Sequence, residues 1–197
     1  MHQVAGEYVP KPIDYGYADF FNQKRAYFVT EYFEGAIDGE AWLKKYDKMD
    51  LNTALMVGLQ IAKGLELAHE KGIFHLDLKP ANILLKQTSS GVVVKIIDFG
   101  LSQVAPCLQS ELDSRQAASG KSKSMFGQAI FGTWDYSPPE MQGCGEKYGK
   151  PSAASDVYSF ATTLYRFLTG LNPRRFSERY LPKVPALRFF DGSFGGG

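Results

Sequence analysis

The sequence predicts an α+β fold, and three patterns in it support this prediction. Two segments rich in aromatic and β-branched residues, 8–17 and 26–33, are typical of strands. Apolar residues recur every three to four positions after Asp50 and again after Asp156, which indicates two helices. Two brief apolar runs, 82–86 and 92–97, flank a polar turn and predict a β-hairpin between the helices.

The composition is that of an ordinary globular protein and excludes several classes of function. The 197 residues are 44% hydrophobic and 22% charged, so the chain can form one sizeable core and one domain or most of one. Because 22 Lys and Arg residues balance 21 Asp and Glu residues, we expect no nucleic-acid partner. No segment reaches the roughly 18 apolar residues that a membrane span requires. Two cysteines without metal-ligand spacing favour a reducing compartment, so we expect a cytoplasmic protein.

The first helix follows the two predicted strands, which a turn at 18–25 connects. This helix is expected to begin near Asp50, with Asn52 or Thr53 as its cap, and to continue until Gly72. Two glycines inside it each cost about 1 kcal/mol relative to alanine, so the helix depends on tertiary packing. Its predicted apolar face consists of Leu55, Leu59, Ala62, Leu65 and Ala68.

The second helix follows the hairpin and a polar tract. The hairpin turn, 87–91, is Gln-Thr-Ser-Ser-Gly, and residues 102–128 contain too few apolar side chains to pack by themselves. We expect the helix to start at Asp156 and to end at Gly170, and we expect the chain beyond it to be irregular. Its apolar face is wide enough to be largely buried and comprises Val157, Phe160, Ala161, Leu164, Phe167 and Leu168.

The residues that carry chemistry surround the hairpin. Asp77, Lys79 and Asn82 lie just before it in His-Leu-Asp-Leu-Lys-Pro-Ala-Asn, and Asp98 follows it in Asp-Phe-Gly. Phosphoryl transfer needs a carboxylate that orients the attacking hydroxyl, a cation at the transferred phosphate and oxygen ligands for Mg²⁺. Either aspartate alone would be more typical of a cap or a turn. The four side chains together provide the set that phosphoryl transfer requires.

This pair of motifs, about 20 residues apart with a hairpin between them, resembles the catalytic loop and Asp-Phe-Gly segment of eukaryotic-type protein kinases. The resemblance implies a kinase-like α+β fold, mainly the helical large lobe with a remnant of the small-lobe sheet. By position, the resemblance implies that Asp77 is the catalytic base, that Lys79 contacts the γ-phosphate, and that Asn82 and Asp98 bind Mg²⁺. A lysine two residues after the base is typical of the Ser/Thr kinases. The implied cofactors are ATP and Mg²⁺, and the implied partner is a protein substrate.

The same resemblance assigns roles outside the catalytic loop. Residues 28–35 are similar to a strand that leads into the kinase hinge, with Thr30 as gatekeeper. The backbone of Glu31 and Phe33 would hydrogen-bond adenine, and Leu84 would pack beneath it. Residues 98–140 would form the activation segment, whose end is marked by Thr133, Pro139 and Glu140. Structural roles are implied for four more residues: His75, Phe99, Gly100 and Asp156.

The resemblance covers about residues 7–175 and implies a partial kinase domain. Residues 1–33 would be a small-lobe strand remnant, 34–175 the large lobe, and 176–197 an irregular tail. Neither a Gly-rich loop nor the strand lysine that anchors ATP phosphates precedes the first strand. Lys95 mimics that lysine, but its place before Asp-Phe-Gly predicts an exposed strand position. We therefore expect weak or no kinase activity from the chain alone.

Two further departures from the kinase pattern concern regulation and stability. Leu76 replaces the arginine that pairs with a phosphorylated activation-segment residue, so activation by that route is predicted to be absent. Glu140 is expected to lack its usual arginine partner. Two alternatives remain open: a non-catalytic, kinase-like binding fragment, and a small-molecule phosphotransferase, against which Lys79 and the Pro139–Glu140 pair count. The oligomeric state is left open.

Overall fold

A computed structural model describes residues 5–99, 135–142 and 145–173, which form five strands and four helices. The strands are β1 (Pro12–Asp19), β2 (Lys24–Thr30), β3 (Ile37–Asp38), β4 (Ile83–Thr88) and β5 (Gly91–Ile96). The helices are α1 (Gly39–Tyr46), α2 (Leu51–His69), the single turn α3 (Gly145–Tyr148) and α4 (Ala153–Thr169). In the described part of the chain, no helix combines the length and apolar character needed to cross a bilayer.

The two predicted N-terminal strands exist, but their bounds differ from the prediction. β1 and β2 form an antiparallel two-stranded sheet, in which Tyr15 pairs with Phe28. Residues 8 and 9 are not part of β1, because the Tyr8 carbonyl accepts a hydrogen bond from the Ile96 amide at 2.7 Å and Val9 is buried. The start of the chain is thereby attached to β5. The connecting turn is shorter than the predicted 18–25, and β2 ends at Thr30 rather than at residue 33.

The predicted central hairpin is confirmed. β4 and β5 pair in antiparallel register from Ile83↔Ile96 to Thr88↔Gly91, so only Ser89 and Ser90 form the turn. This turn is tighter than the predicted 87–91, and Gly91 supplies the φ of +125° that follows it. The sequence did not predict β3, which pairs with β4 and completes a three-stranded sheet in the order β3-β4-β5.

Helix α1 was also missing from the prediction. Asp38 caps it, because its side chain accepts a hydrogen bond from the Ala41 amide at 2.9 Å. The first helical residue is Gly39, and a Cβ there would lie 2.6 Å from the Pro80 carbonyl oxygen and 2.8 Å from Phe167. Glycine is therefore required for the close approach of α1 to the turn of 3₁₀ helix at Pro80–Asn82.

The predicted helix α2 forms, but it ends at His69 rather than near Gly72, and its cap differs from the prediction. The cap is Asp50, which accepts hydrogen bonds from the Thr53 amide and hydroxyl at 3.1 and 2.6 Å. Leu55 and Leu59, which belong to the predicted apolar face, are 56% and 58% exposed and lie on the surface. Two glycines allow close packing instead, since a Cβ at Gly64 would lie 2.8 Å from Ile96. The buried face comprises Ala54, Val57, Gly58, Ile61, Gly64, Leu65 and Ala68.

Helix α4 begins three residues earlier than predicted and ends at Gly170 as predicted. Ser152 caps it and forms a capping box with Ser155, and Gly170 closes it with a left-handed φ of +70°. The predicted burial of its apolar face is wrong at Val157, which is 59% exposed, and at Ala161. The buried residues are mostly polar: Ser155, Asp156, Ser159, Thr163 and Phe167. The core lies between α2, the β3-β4-β5 sheet and α4.

Candidate active site

The loop between α2 and β4 is held from inside the protein by Asp156 of α4. This carboxylate is fully buried and accepts hydrogen bonds from the His75 and Leu76 amides, both at 2.8 Å. The His69 Nε2 atom lies 2.7 Å from the same group. Leu76 has a left-handed φ of +62°, which costs a non-glycine residue roughly 1 kcal/mol. The two hydrogen bonds that the buried carboxylate accepts fix this unfavourable backbone conformation.

His75 connects this loop to the strand that precedes Asp98. Its Nε2 lies 2.9 Å from the Ile97 carbonyl oxygen, and its Nδ1 accepts a hydrogen bond from the Asp77 amide at 3.2 Å. The ring packs against Phe99 at a centroid distance of 4.6 Å. Burial lowers the pKa of His75, so the ring is neutral and its proton sits on Nε2, where it can be donated to Ile97. His75 is therefore placed to support the loop rather than to act as a base.

Asp77, Lys79 and Asn82 form one side-chain cluster. Lys79 Nζ lies 2.8 Å from Asp77 Oδ2, and Asn82 Nδ2 donates to the Asp77 carbonyl oxygen at 2.8 Å and to Oδ2 at 3.2 Å. The other carboxylate oxygen, Oδ1, is buried and has no hydrogen-bond partner among the described residues. A buried carboxylate oxygen without a donor is unfavourable, so Oδ1 fits a hydroxyl group brought by another molecule.

Asp98 lies beside Asn82 because the hairpin joins the start of β4 to the end of β5. The Ile97 amide donates to the Asn82 carbonyl oxygen at 2.9 Å, and Asp98 follows with an exposed side chain and a φ of +61°. In the described residues, no group of three His, Cys, Asp or Glu side chains could hold a metal by itself. Mg²⁺ does not need such a group, since it keeps several waters and takes few protein oxygens. The Asp98 carboxylate and the Asn82 side-chain oxygen fit that donor set. The Asn82 Nδ2 atom already donates to Asp77, so the amide oxygen is the atom that could bind the metal.

The predicted hinge residues follow β2. Thr30 is the last residue of that strand and pairs with Pro12. The Glu31 amide donates to the Lys11 carbonyl oxygen at 2.8 Å, so its own carbonyl is the group left to face a ligand. The Phe33 carbonyl oxygen accepts a hydrogen bond from the Ala36 amide at 3.2 Å and closes a turn. This turn fixes the direction in which the chain passes from β2 to β3.

Lys95 occupies a different environment from the predicted one. Its side chain is only 14% exposed, and its Nζ lies 2.5 Å from Glu31 Oε1 and 3.3 Å from the Gly6 carbonyl oxygen. The hydrogen bond from Lys95 lowers the pKa of Glu31. Lys95 pairs across the strands with the half-buried Leu84, and its ammonium group lies 5.7 Å from the centre of the Phe33 ring. The strand before Asp98 is thus joined to the hinge by an ion pair.

The end of the predicted activation segment is attached to two helices. Glu140 Oε1 accepts a hydrogen bond from the Ser155 hydroxyl at 2.5 Å, and the Tyr136 carbonyl oxygen accepts one from Ser159 at 3.0 Å. The Tyr136 hydroxyl donates a hydrogen bond to Glu40 of α1 at 3.2 Å, and burial raises the pKa of Tyr136. Pro139 is buried beside them. Gly100, Thr133 and the polar tract 102–128 lie outside the described residues.

Sequence reasoning missed two features of this site. The Lys95–Glu31 pair could have been suspected from a single charge in the otherwise apolar strand Val92–Ile97. The second feature is the Tyr136–Glu40 contact. Arg166 of α4 also reaches Glu40, with Nη2 at 3.4 Å, so three segments that are far apart in the chain meet there. No local pattern could have indicated it.

Comparison with known proteins gives one family and several kinases. The family described as Protein kinase domain matches residues 11–181. A probable serine/threonine-protein kinase of Clostridium perfringens, CPE1738, is 34% identical over 161 residues, which is 82% of this chain and 20% of that protein. The kinase PDK1 of Cryptococcus neoformans is 30% identical over 84% of this chain and 12% of its own length. An Aurora kinase of Dictyostelium discoideum is 34% identical over 161 residues, which is 81% of this chain and 34% of that protein.

The structural comparison agrees on the fold. The kinase domain of Mycobacterium tuberculosis PknI superposes with a TM-score of 0.60 at 22% identity. The superposition covers 93% of this chain and 59% of the PknI chain. The chain therefore spans less than two thirds of each of these relatives, and the shared part includes both motifs that flank the hairpin.

Proposed function

Since this chain belongs to the protein kinase family, we propose that it carries the catalytic segment of a serine/threonine kinase, which transfers the γ-phosphoryl group of Mg·ATP to a protein hydroxyl. The observation that supports this most directly is the unpartnered Oδ1 of Asp77, next to the Lys79 ammonium group. An incoming hydroxyl could donate a hydrogen bond to Oδ1 while the Lys79 ammonium group lies next to the transferred phosphate. A cytoplasmic location is part of the same proposal.

The four residues of the site have separate roles in this proposal. Asp77 accepts the hydrogen bond of the substrate hydroxyl and orients its oxygen, and Lys79 places positive charge next to that carboxylate. Asn82 orients Asp77 through Nδ2, and its Oδ1, with Asp98, would hold Mg²⁺. When bound, Mg²⁺ would neutralise charge that develops on the phosphate oxygens.

The nucleotide and the protein substrate would bind on opposite sides of this cluster. The carbonyl of Glu31, the amide of Phe33, the Thr30 side chain and Leu84 would contact adenine, with the Lys95–Glu31 pair holding the hinge against β5. On the substrate side, Glu140 and Pro139 would support the activation segment on α4, and Thr133 would contribute as in the Ser/Thr kinases. Residues 1–33 are proposed as part of the small lobe and 34–175 as the large lobe.

Leu76 supports the proposal that activity does not depend on phosphorylation of the activation segment. Its side chain is 4% exposed and carries no charge, so position 76 offers no cation for a phosphate. Phosphatase treatment of an active form of this kinase is expected to leave its activity unchanged. A large fall in activity after that treatment would contradict this part of the proposal.

The metal and nucleotide roles can be tested by binding. Fluorescent ATP is titrated into the chain with Mg²⁺ and with EDTA, and Asp98→Asn is expected to remove the Mg²⁺-dependent part of the affinity. Asp77→Asn should retain binding, because that side chain is assigned to the hydroxyl. Glu66→Gln makes the same carboxylate-to-amide change on exposed helix surface and is the control. Mg²⁺-dependent binding that survives in Asp98→Asn would contradict the assignment, and absence of any binding would favour a non-catalytic fragment.

A further inference from the structure

Strand β5 leads directly to the candidate metal site, and it is an edge strand, because the sheet order is β3-β4-β5. In an antiparallel pair, alternate residues turn their peptide groups toward the partner strand. Ile97 does so, since its amide donates to the Asn82 carbonyl oxygen. The peptide groups that face away from β4 are therefore those of Val92, Val94 and Ile96. Such edge groups need hydrogen-bond partners from elsewhere in the protein.

The side chain of Gln60 in α2 bonds to two of these outward peptide groups. Its Nε2 donates to the Val92 carbonyl oxygen at 2.8 Å, and its Oε1 accepts from the Val94 amide at 3.0 Å. Nε2 also donates to the Met56 carbonyl oxygen at 3.1 Å, one turn earlier in the helix. Because a backbone amide can only donate and a carbonyl can only accept, this orientation of the side-chain amide satisfies both strand groups. Gln60 thus occupies the position that a peptide group of a fourth strand would have.

The residues one turn before and one turn after Gln60 also contact β5. A Cβ at Gly91 would lie 2.9 Å from the Met56 side chain, and a Cβ at Gly64 would lie 2.8 Å from Ile96. Helix α2 therefore follows β5 along its whole length. These neighbouring contacts are apolar and not directional, whereas hydrogen bonds require a defined distance and angle. In the part of the chain that the structure describes, no other side chain of α2 hydrogen-bonds to β5.

The direction of β5 determines where Asp98 lies relative to Asn82. Ile97 is fixed by its bond to Asn82 and by His75, whose Nε2 lies 2.9 Å from the Ile97 carbonyl oxygen. These contacts hold only the end of the strand. Val94 is four residues before Asp98, or about 13 Å of extended chain, so a small tilt of the strand at Val94 displaces the carboxylate. Misplacement of a reacting group by about 1 Å can cost about 100-fold in rate.

We propose that Gln60 is a positioning residue for the magnesium site: its side-chain amide fixes β5, and thereby holds the Asp98 carboxylate next to Asn82. This inference rests on the proposed function, in which Asp98 and Asn82 bind Mg²⁺. Gln60 contacts neither the metal nor the nucleotide and acts through the strand. Without its amide, the outer edge of β5 would keep one recorded hydrogen bond among the described residues, from the Ile96 amide to Tyr8.

The substitution Gln60→Met tests this role, because methionine has a similar length and shape but forms no comparable hydrogen bonds. Gln87→Met makes the same change on the exposed surface of β4 and is the matched control. Fluorescent ATP is titrated into each folded variant in EDTA and over a range of Mg²⁺ concentrations. We expect Gln60→Met to need at least fivefold more Mg²⁺ for half-maximal binding, while its affinity in EDTA stays within twofold of the unsubstituted chain. Gln87→Met should change neither value.

Hydrogen exchange separates failure of this inference from failure of the proposed function, because it requires no nucleotide. The amides of Val94 and Ile97 should exchange at least tenfold faster in Gln60→Met than in the unsubstituted chain. If the unsubstituted chain shows no Mg²⁺-dependent ATP binding but Ile97 exchanges faster in the variant, the positioning of Asp98 by Gln60 is supported and the proposed function is contradicted. The inference is overturned if Ile97 stays equally protected in Gln60→Met, or if a chain that binds Mg·ATP has the same Mg²⁺ requirement with and without Gln60.

Discussion

Replacing Asp156 by alanine is expected to unfold the catalytic loop before anything else in the protein. The substitution removes the carboxylate oxygens that accept hydrogen bonds from the His75 and Leu76 amides, and both residues are buried. A buried donor left without a partner costs about 1–3 kcal/mol, so the two together cost about 2–6 kcal/mol. That is a large part of the 5–15 kcal/mol that typically separates folded from unfolded domains.

Urea unfolding at pH 7.5 measures the loss, and hydrogen exchange locates it. We expect the midpoint to fall, and we expect the amides of His75 and Leu76 to exchange much faster, because each has lost its acceptor. Asp98→Asn is the matched control: its side chain is exposed, so the unfolding free energy should change by less than about 0.5 kcal/mol. A loss below about 1 kcal/mol in Asp156→Ala, with unchanged exchange at both amides, would refute the argument that this carboxylate holds the loop.

Three further predictions concern other contacts of the site. In a double-mutant cycle, Lys95→Met and Glu31→Gln should show a coupling of about 1 kcal/mol in urea unfolding, since the pair is half-buried; purely additive effects would contradict the ion pair. Gly39→Ala should destabilise the protein by about 1–3 kcal/mol, whereas Gly6→Ala, which has nothing within 4 Å, should be neutral; equal midpoints for the two would argue against the close approach of α1. Because burial lowers the pKa of His75 in the folded state, the stability it contributes is present above its unfolded pKa near 6.5 and is lost as the pH falls further. Nitrogen NMR at pH 6.5 should find a neutral ring with its proton on Nε2, and an imidazolium at that pH would contradict the assignment.

Local patterns explain how much of this fold could be predicted from the sequence. The hairpin and the end of α4 follow from turn residues and a glycine that act within a few positions of the chain. The motifs around Asp77 and Asp98 are likewise contiguous, so the side-chain cluster could be anticipated before any contact was known. The kinase family assignment agrees with the resemblance found in these motifs.

The failures of prediction come from packing. Helix α1 is short and begins at a glycine, and its close contact with the 3₁₀ turn, rather than helix propensity, requires that residue. Small residues make up about half of the buried face of α2 and most of that of α4, because close approach of backbones favours them there: Ala54, Gly58, Gly64, Ala68, Ser155, Ser159 and Thr163. A search for large apolar residues therefore selected Leu55 and Val157, which lie on the outer surface.

Leu76 and Asp98, on either side of the catalytic cluster, have the backbone conformation that glycine tolerates best, with φ values of +62° and +61°. Each costs roughly 1 kcal/mol that the rest of the fold must offset. At Leu76 the buried side chain outweighs this cost, so heat tolerance alone should retain leucine there, whereas the exposed Asp98 has no such compensation and should give way to glycine. We expect such thermostable descendants to lose the carboxylate proposed for Mg²⁺, so durability and function would be in conflict at that residue.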